Sequence, residues 1–424
     1  MPQIDKRPLS AALPPPSNGV LGATMPDAHS RGSRQRGVRL YNERVVLHTL
    51  RKYGALTAAD LARRTQLTAQ TISLIGKGLS NEGLLLKDEP QRGKVGQPAV
   101  PLRLNPEGAF SIGILVGRRK MDLLLVDFVG GIRGRWSLGY SFPEPAVLLE
   151  QIGRCLKLIG RNLGRERSSR LQGIGVACPL SLEGWQPLLG VDESLARSWS
   201  GIDFRAAVSQ LTELPVTLIK DTAAACLAEL VIGLGRELRS HLYVFVDTFI
   251  GGGLVIDGQL HAGLNGNAAA IGSMAVRPSL DTPGKAPPQL LDQASLFSLE
   301  TRYARAHLDR TAVTDDRALQ PPWRSHTTAW LPEAGDAIGW AVNGAACLLD
   351  LDAVVIDGSM GRDFLQALVM EVDSALGRYD WEGVKRPRLS AGSVGADARA
   401  LGGALLPLHA SFAPDRDLFL KLAA

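Results

Sequence analysis

Between Tyr41 and Leu104 the apolar residues fall first at helical spacing and then in short runs. Val46, Leu50 and Tyr53 share one helical face, and Gly54 follows as a stop. Thr57-Ala-Ala-Asp60 has the form of a capping box, with Leu56 and Leu61 placed as the hydrophobic staple of a short second helix that ends near Arg64. After the turn Thr65-Gln66 the signal recurs. Leu67 and Ile72 flank Thr68, whose hydroxyl suits the free N–H groups at the start of a third helix. In that helix Ile72, Ile75 and Leu79 form the buried stripe, which turns Gln70, Ser73, Leu74 and Lys77 toward the opposite side. Gly83 ends it; residues 84–86 read as a strand, 91–96 as a turn and 100–104 as the returning strand. The pattern is a helix-turn-helix with a basic β wing. Gly76 and Gly78 each cost the third helix on the order of 1 kcal/mol relative to Ala. They imply either a less stable helix or the close approach of another backbone.

From Phe110 onward the period changes. Strand-like segments at 112–116, 123–128, 174–177, 216–219, 242–246, 253–256 and 353–356 alternate with helical stretches such as 148–163, an α/β pattern. Two segments share the order strand, glycine-bearing turn, strand, followed by Gly130-Gly131 in one and Asp257-Gly258 in the other. That hints at a duplicated lobe with a cleft between the halves. Residues 1–37 contain Pro14-Pro15-Pro16 and the cations Arg31, Arg34 and Arg36 without apolar periodicity, and read as a disordered basic arm. The expected organisation is this arm, a winged helix-turn-helix at 38–105, one lobe at 106–225 and a second at 226–424. The C-terminal helix is expected to pack back on the first lobe.

Charge sharpens this division. Residues 1–105 hold sixteen Lys and Arg against seven Asp and Glu, whereas the remainder holds 31 against 35. A basic module for a polyanion therefore precedes a neutral-to-acidic body. Apolar runs stop far short of the ~20 residues of a membrane-spanning helix, and residues 1–30 carry no signal core, so neither an anchor nor secretion is expected. The cysteines at 155, 178, 226 and 347 form no CxxC pair, which fits neither a disulfide framework nor a zinc cluster and points to a reducing cytoplasm.

A helix-turn-helix reads DNA when polar side chains near the N-terminus of its recognition helix reach base edges while cations neutralise phosphates. Gln70 and Ser73 are the base-reading candidates, with Thr68 and Thr71 beside them. Arg63, Arg64 and Lys77 are phosphate candidates, and Arg92 and Lys94 belong to the wing tip. The alternative is a protein-interaction module with a solvated basic face. Both caps, the wing and the charge asymmetry weigh against it.

Taken in order, several segments resemble the ROK family of repressors, open reading frames and sugar kinases, from about Asn42 to Ala410. They are Asn42-Glu-Arg44 with the helix-turn-helix, Gly96-Gln-Pro-Ala-Val-Pro-Leu-Arg-Leu-Asn105-Pro, Ile112-Gly-Ile-Leu-Val-Gly117 and Gly173-Ile-Gly-Val176. Trp199, Leu214-Pro-Val-Thr-Leu-Ile-Lys-Asp221, Gly251-Gly-Gly253, Ile271-Gly272 and Asp350-Leu-Asp-Ala-Val-Val-Ile-Asp-Gly358 complete the series. The resemblance implies a two-lobed, actin-like (ribonuclease H-like) ATPase fold in which sugar lies in the cleft, an Asp acts as base and Gly-rich turns hold ATP phosphates.

The chain departs from that pattern at each chemical part. Leu115, followed by Arg118 and Arg119, stands where the family's first phosphate loop has an Asp, and leucine cannot organise Mg²⁺. The second loop keeps Thr248 but replaces flanking glycines by Asp247 and Phe249. Asp221 stands at the family's base position, while Lys220 and Ala223 replace Asn on either side of it. Ala270 and Ser273 replace a sugar-contacting Glu and a zinc-binding His, and the segment 278–294 has no cysteine, so no family zinc site is expected. Asp292 matches a family Glu position only loosely.

The sequence therefore predicts a DNA-binding transcription regulator, a repressor by preference, with an inactive ROK body that oligomerises as a homodimer or homotetramer. No cofactor and no metal are expected. Trp199, Lys220, Asp221, Ser273 and Asp292 are the candidate contacts for a sugar or sugar-derivative effector. An active sugar kinase with a DNA-binding arm and a non-catalytic scaffold remain the alternatives.

Overall fold

A computed structural model describes residues 31–90, 100–180, 197–276 and 286–415. Residues 43–414 form one compact unit. The first helix, α1 (Arg31–Tyr53), begins inside the stretch expected to be a disordered arm. Arg31, Arg34, Gln35 and Arg36 are good helix formers, Gly32 and Gly37 are poor ones, and extending an anchored helix avoids the cost of nucleation. α2 (Ala58–Thr65) and α3 (Ala69–Asn81) follow across a tight turn in which Gln66 takes a left-handed conformation. β1 (Leu85–Lys87) pairs antiparallel with β2 (Leu102–Leu104), and Leu56 bridges to Leu102, closing a small sheet beside the helices. Gly76 is buried on α3, and a Cβ there would stand 3.0 Å from Leu102 Cδ1. Close packing of α3 on β2 explains that glycine.

The body consists of two sheets of the same design. In the first, β3 (Phe110–Val116), β4 (Lys120–Asp127), β5 (Ile132–Gly139), β6 (Leu171–Cys178) and β7 (Val216–Lys220) lie in the order β5-β4-β3-β6-β7. In the second, β8 (His241–Val246), β9 (Ile250–Ile256), β10 (Gln259–His261), β11 (Ala353–Gly358) and β12 (Arg388–Ala391) lie in the order β10-β9-β8-β11-β12. Each places an antiparallel three-stranded meander beside two parallel strands. The repeat hinted at by the glycine turns is thus a duplicated lobe. β3, β8 and β11 are buried along their whole length and largely apolar, each with one buried polar residue (Ser111, His241 and Asp357), as expected for strands covered on both faces.

Helices cover the sheets. α4 (Pro145–Ser168) packs on lobe I, with the short α5 (Phe204–Ser209) near it. α6 (Asp221–Ile232) leaves the end of β7. α7 (Leu290–Ala294), α8 (Leu296–Arg305), α9 (Arg324–Leu349) and α10 (Arg362–Leu376) build the lobe II core around Trp330, Tyr303 and Phe364. The last helix, α11 (Ala398–Phe412), returns to lobe I, where Ser111 Oγ donates to Ala404 O. A Cβ on Gly402 would overlap the Ala224 carbonyl oxygen, so this glycine sets how closely α11 and α6 cross. Among the described residues no helix is long and apolar enough to cross a membrane. Cys155, Cys178, Cys226 and Cys347 are all free thiols.

Candidate nucleic-acid interface and interlobe cavity

Local hydrogen bonds build the helix-turn-helix. Asp60 N donates to Thr57 Oγ1 at 3.2 Å, and the Thr57 hydroxyl donates to Asp60 Oδ2 at 2.8 Å. Thr71 N donates to Thr68 Oγ1 at 3.2 Å, and the two threonine hydroxyls lie 2.8 Å apart. Both α2 and α3 therefore start from satisfied N-caps. Ile72, Ile75 and Leu79 point inward, while Gln70, Ser73 and Lys77 are exposed. Leu74, exposed by 65 %, lies on the same outer face, where an apolar side chain suits a thymine methyl.

The arginine candidates differ in freedom. Arg63 Nη2 lies 2.7 Å from Asp60 Oδ1, and the Arg64 guanidinium sits 4.0 Å from the centre of the Tyr53 ring. Thr68 and Thr71 spend their hydroxyls on each other, which makes them helix-start residues. Arg92 and Lys94 lie outside the described residues.

A second site opens between the lobes, where the chain leaves β7 and β8. A cavity of about 210 Å³ is lined by Lys220, Asp221, Asp247, Asn267, Ser273 and Arg399, among others. Arg399 comes from the first turn of α11 and is exposed by only 13 %. Its Nη1 lies 3.2 Å from Asp221 Oδ2, its Nη2 pairs with Asp247 Oδ2, and its guanidinium stands over the Phe245 ring. Burial opposes the Arg399 charge, yet Asp247 and Asp221 hold its pKa above the ordinary arginine range. The other Asp221 oxygen accepts from Thr222 N at 2.8 Å. The carboxylate at the expected base position is thus engaged on both oxygens.

A neighbouring clamp joins the two halves. Arg118 and Arg119, from the turn between β3 and β4, approach Glu300 Oε2 of α8 at 3.1 and 2.8 Å. The Glu300 side chain is 4 % exposed. Burial lowers the pKa of Arg118 and Glu300 opposes that shift. Neither Arg399 nor Glu300 was singled out from the sequence. The available signal for Arg399 was a lone cation in the run Ala398-Arg-Ala-Leu-Gly-Gly-Ala404.

Of the five effector candidates the cavity brings together Lys220, Asp221 and Ser273. Trp199 is buried in the lobe I core, where its Nε1 donates to Pro143 O at 2.7 Å and its ring lies 5.2 Å from Phe204. Asp292 sits apart in a depression with Ser295 and Arg305, and its Oδ2 accepts from Gln289 N at 2.9 Å, capping α7. Among the described residues no group of three or more His, Cys, Asp and Glu side chains is placed to hold a metal ion.

The ROK family model matches residues 111–410. The chain belongs to the ROK family. An uncharacterised protein of Sinorhizobium fredii is 25 % identical over 88 % of this ROK chain and 91 % of its own length. The xylose repressor of Bacillus subtilis is 24 % identical over 57 % of this chain and 62 % of its own. Among solved structures, a ROK family transcriptional regulator, homolog of the Escherichia coli MLC protein, matches with a TM-score of 0.64 and 19 % identity. That match covers 91 % of this chain and 99 % of the other. A ROK family glucokinase from Streptomyces griseus, in complex with glucose and AMPPNP, matches with a TM-score of 0.55 and 19 % identity over 70 % of this chain and 99 % of its own. These likenesses establish the two-lobed, actin-like fold for the ROK body.

Proposed function

We propose that this ROK protein is a sequence-specific, DNA-binding transcription regulator of the cytoplasm, a repressor by preference, whose body senses a carbohydrate-type effector without phosphorylating it. The observation that carries this reading is the outer face of α3. Gln70, Ser73 and Lys77 stand exposed on a helix whose cap and buried stripe are both satisfied, beside a two-stranded wing. The names of the xylose repressor and the MLC-like regulator support it. One short recognition helix gives limited specificity, so two half-sites read by a dimer are expected.

The cavity supports sensing over phosphotransfer. A general base serves phosphotransfer only beside a working phosphate site, and Asp221 stands paired with Arg399 next to an altered one. Asp247 and Phe249 line the turn where the fold family's nucleotide phosphates would lie, and a carboxylate and a phenyl ring do not fit them.

Selection of bound sequences from a random duplex pool by the full-length protein tests the reading. A two-fold-symmetric motif is expected; a pool without enrichment rejects sequence-specific regulation. ATP-dependent phosphorylation of any sugar in a parallel panel would restore the kinase alternative.

A further inference from the structure

A separate cavity lies where α1 meets the body, among α1, α6, α11 and the turn between β9 and β10. It measures about 40 Å³, roughly three times what one water needs. Leu47, Leu230, Leu405, Leu408 and Phe412 give it apolar walls, and Arg51, Lys52 and Arg236 bring cations to it. No Asp or Glu lines it among the described residues.

Arg51 is the half-buried cation of this wall, and its guanidinium stands 5.1 Å from the centre of the Phe128 ring. Its Nη1 is buried without a hydrogen-bond partner, and the side chain makes no hydrogen bond or ion pair among the described residues. Burial lowers its pKa to about 10, and Asp127 opposes that shift. Asp127, however, is matched elsewhere. Its Oδ2 lies 2.7 Å from Arg133 Nε, and its Oδ1 accepts from Val129 N and Gly131 N. Glu107 in turn holds Arg133 at 3.0 Å and Arg167 at 2.9 Å. Asp127 and Glu107 thus balance Arg133 and Arg167, and Arg51 is the cation left over. Lys52 and Arg236 make no ion pair among the described residues either. The field is felt at His48, also on the wall, whose pKa is lowered by burial and then by Arg51 and Lys52. A desolvated cation without a fixed partner is costly, and an anion delivered by a ligand would offset the cost.

The apolar walls narrow the class of anion. A sugar would leave its hydroxyls unmatched against leucine and phenylalanine, and inorganic phosphate would lose hydration that these walls do not replace. A carboxylate fits the planar guanidinium with two parallel hydrogen bonds. We propose that this cavity binds a short aliphatic monocarboxylate, with its carboxylate on Arg51 and its methylenes among Leu47, Leu405, Leu408 and Phe412. The site is distinct from the interlobe cavity and does not depend on the sensing role given above.

Calorimetry with the full-length protein, in a carboxylate-free buffer at constant ionic strength, tests this with acetate, propionate, butyrate, valerate and hexanoate. Affinity is expected to rise about fourfold for each methylene that the walls cover and to fall once the cavity is full. Butyramide, which has the shape of butyrate without its charge, is expected to bind about tenfold or more weakly, the worth of a charge-assisted hydrogen bond. Arg51→Met keeps the packing on Phe128 and is expected to abolish the preference for butyrate over butyramide, while Arg51→Lys keeps part of it; thermal unfolding of both variants shows that the fold is retained. Binding of none of the acids, a series without dependence on chain length, inorganic phosphate binding as tightly as butyrate, or an Arg51→Met variant that keeps the preference each overturns the inference. None of these outcomes bears on DNA reading by α3 or on the interlobe cavity.

Discussion

At the residue scale, two buried charged or polar groups show how the surroundings, not the residue type, set the chemistry. Arg399 is surrounded by two carboxylates that would otherwise face each other across the cavity mouth. Arg399→Met keeps much of the side-chain volume and leaves Asp221 and Asp247 unpaired. It is expected to destabilise the fold by roughly 3 kcal/mol, the usual result of breaking a buried ion pair from one side. Denaturant unfolding measures this, and adding Asp221→Asn is expected to recover part of the loss. His241 is the opposite case. It opens β8 fully buried, neither ring nitrogen has a hydrogen-bond partner among the described residues, and burial lowers its pKa to about 4, with Asp352 opposing. The unfolded chain takes up this proton near pH 6.5 and the folded chain only near pH 4. Stability therefore falls as the pH drops between those values and levels off below. The histidine accounts for roughly 3 kcal/mol of that fall at most. His241→Leu should flatten the wild-type slope across this window, and unchanged slopes in paired thermal unfolding series would remove His241 from the account.

At the element scale, α3 packs by one face and leaves the other exposed. Thr68 and the stripe Ile72, Ile75 and Leu79 build the helix, and Gln70, Ser73 and Lys77 are left for a partner. Gln70→Ala is expected to cost specific binding about 1–3 kcal/mol, the worth of one bidentate base contact, while affinity for random duplex stays nearly unchanged. Equal losses on selected and random DNA, measured by titration at one salt concentration, would exclude a base-reading role. Gly76 shows where local reasoning stops. Its cost to the helix was visible in the sequence, but its reason is Leu102, which lies 26 positions away and touches it only in the folded wing. Edge strands behave in the same way. β5, β10 and β12 were not read from the sequence: β5 is half exposed and the other two have three and four residues, too short for a clear period.

At the scale of the whole molecule, α11 connects regions that are far apart in the chain. Its first turn carries Arg399 into the interlobe cavity. Its last turns place Leu405, Leu408 and Phe412 with Leu47 and Arg51 of α1 around a smaller cavity. Phe128 meets Phe412 at 4.8 Å between ring centres, and Arg44 Nη1 donates to Ala413 O at 3.2 Å. Packing thus runs continuously from the cavity wall to α1, and if a ligand regulates the helix-turn-helix, a difference in its affinity for two positions of that wall is what regulation requires. The clamp of Arg118 and Arg119 on Glu300 spans the two lobes and is expected to oppose their parting. Glu300→Gln keeps the shape and removes the charge; amide exchange around residues 117–122 is expected to speed about tenfold, a local opening, with α3 unaffected. An unchanged exchange pattern would show that the clamp does not hold the lobes together. The sequence by itself determined the helix-turn-helix, its caps, the buried stripe of α3 and the alternation of strands and helices, because these depend on residues a few positions apart. The family, too, was legible, as motifs in order. Only the tertiary structure decided which of the five effector candidates share a cavity: it gathered Lys220, Asp221 and Ser273, placed Trp199 in a core and turned Asp292 to a helix cap. It also brought Arg399 to Asp221 across 178 positions and Glu300 to Arg118 across 182. Contacts of that reach carry no local period or spacing, so nothing in the linear pattern signals them.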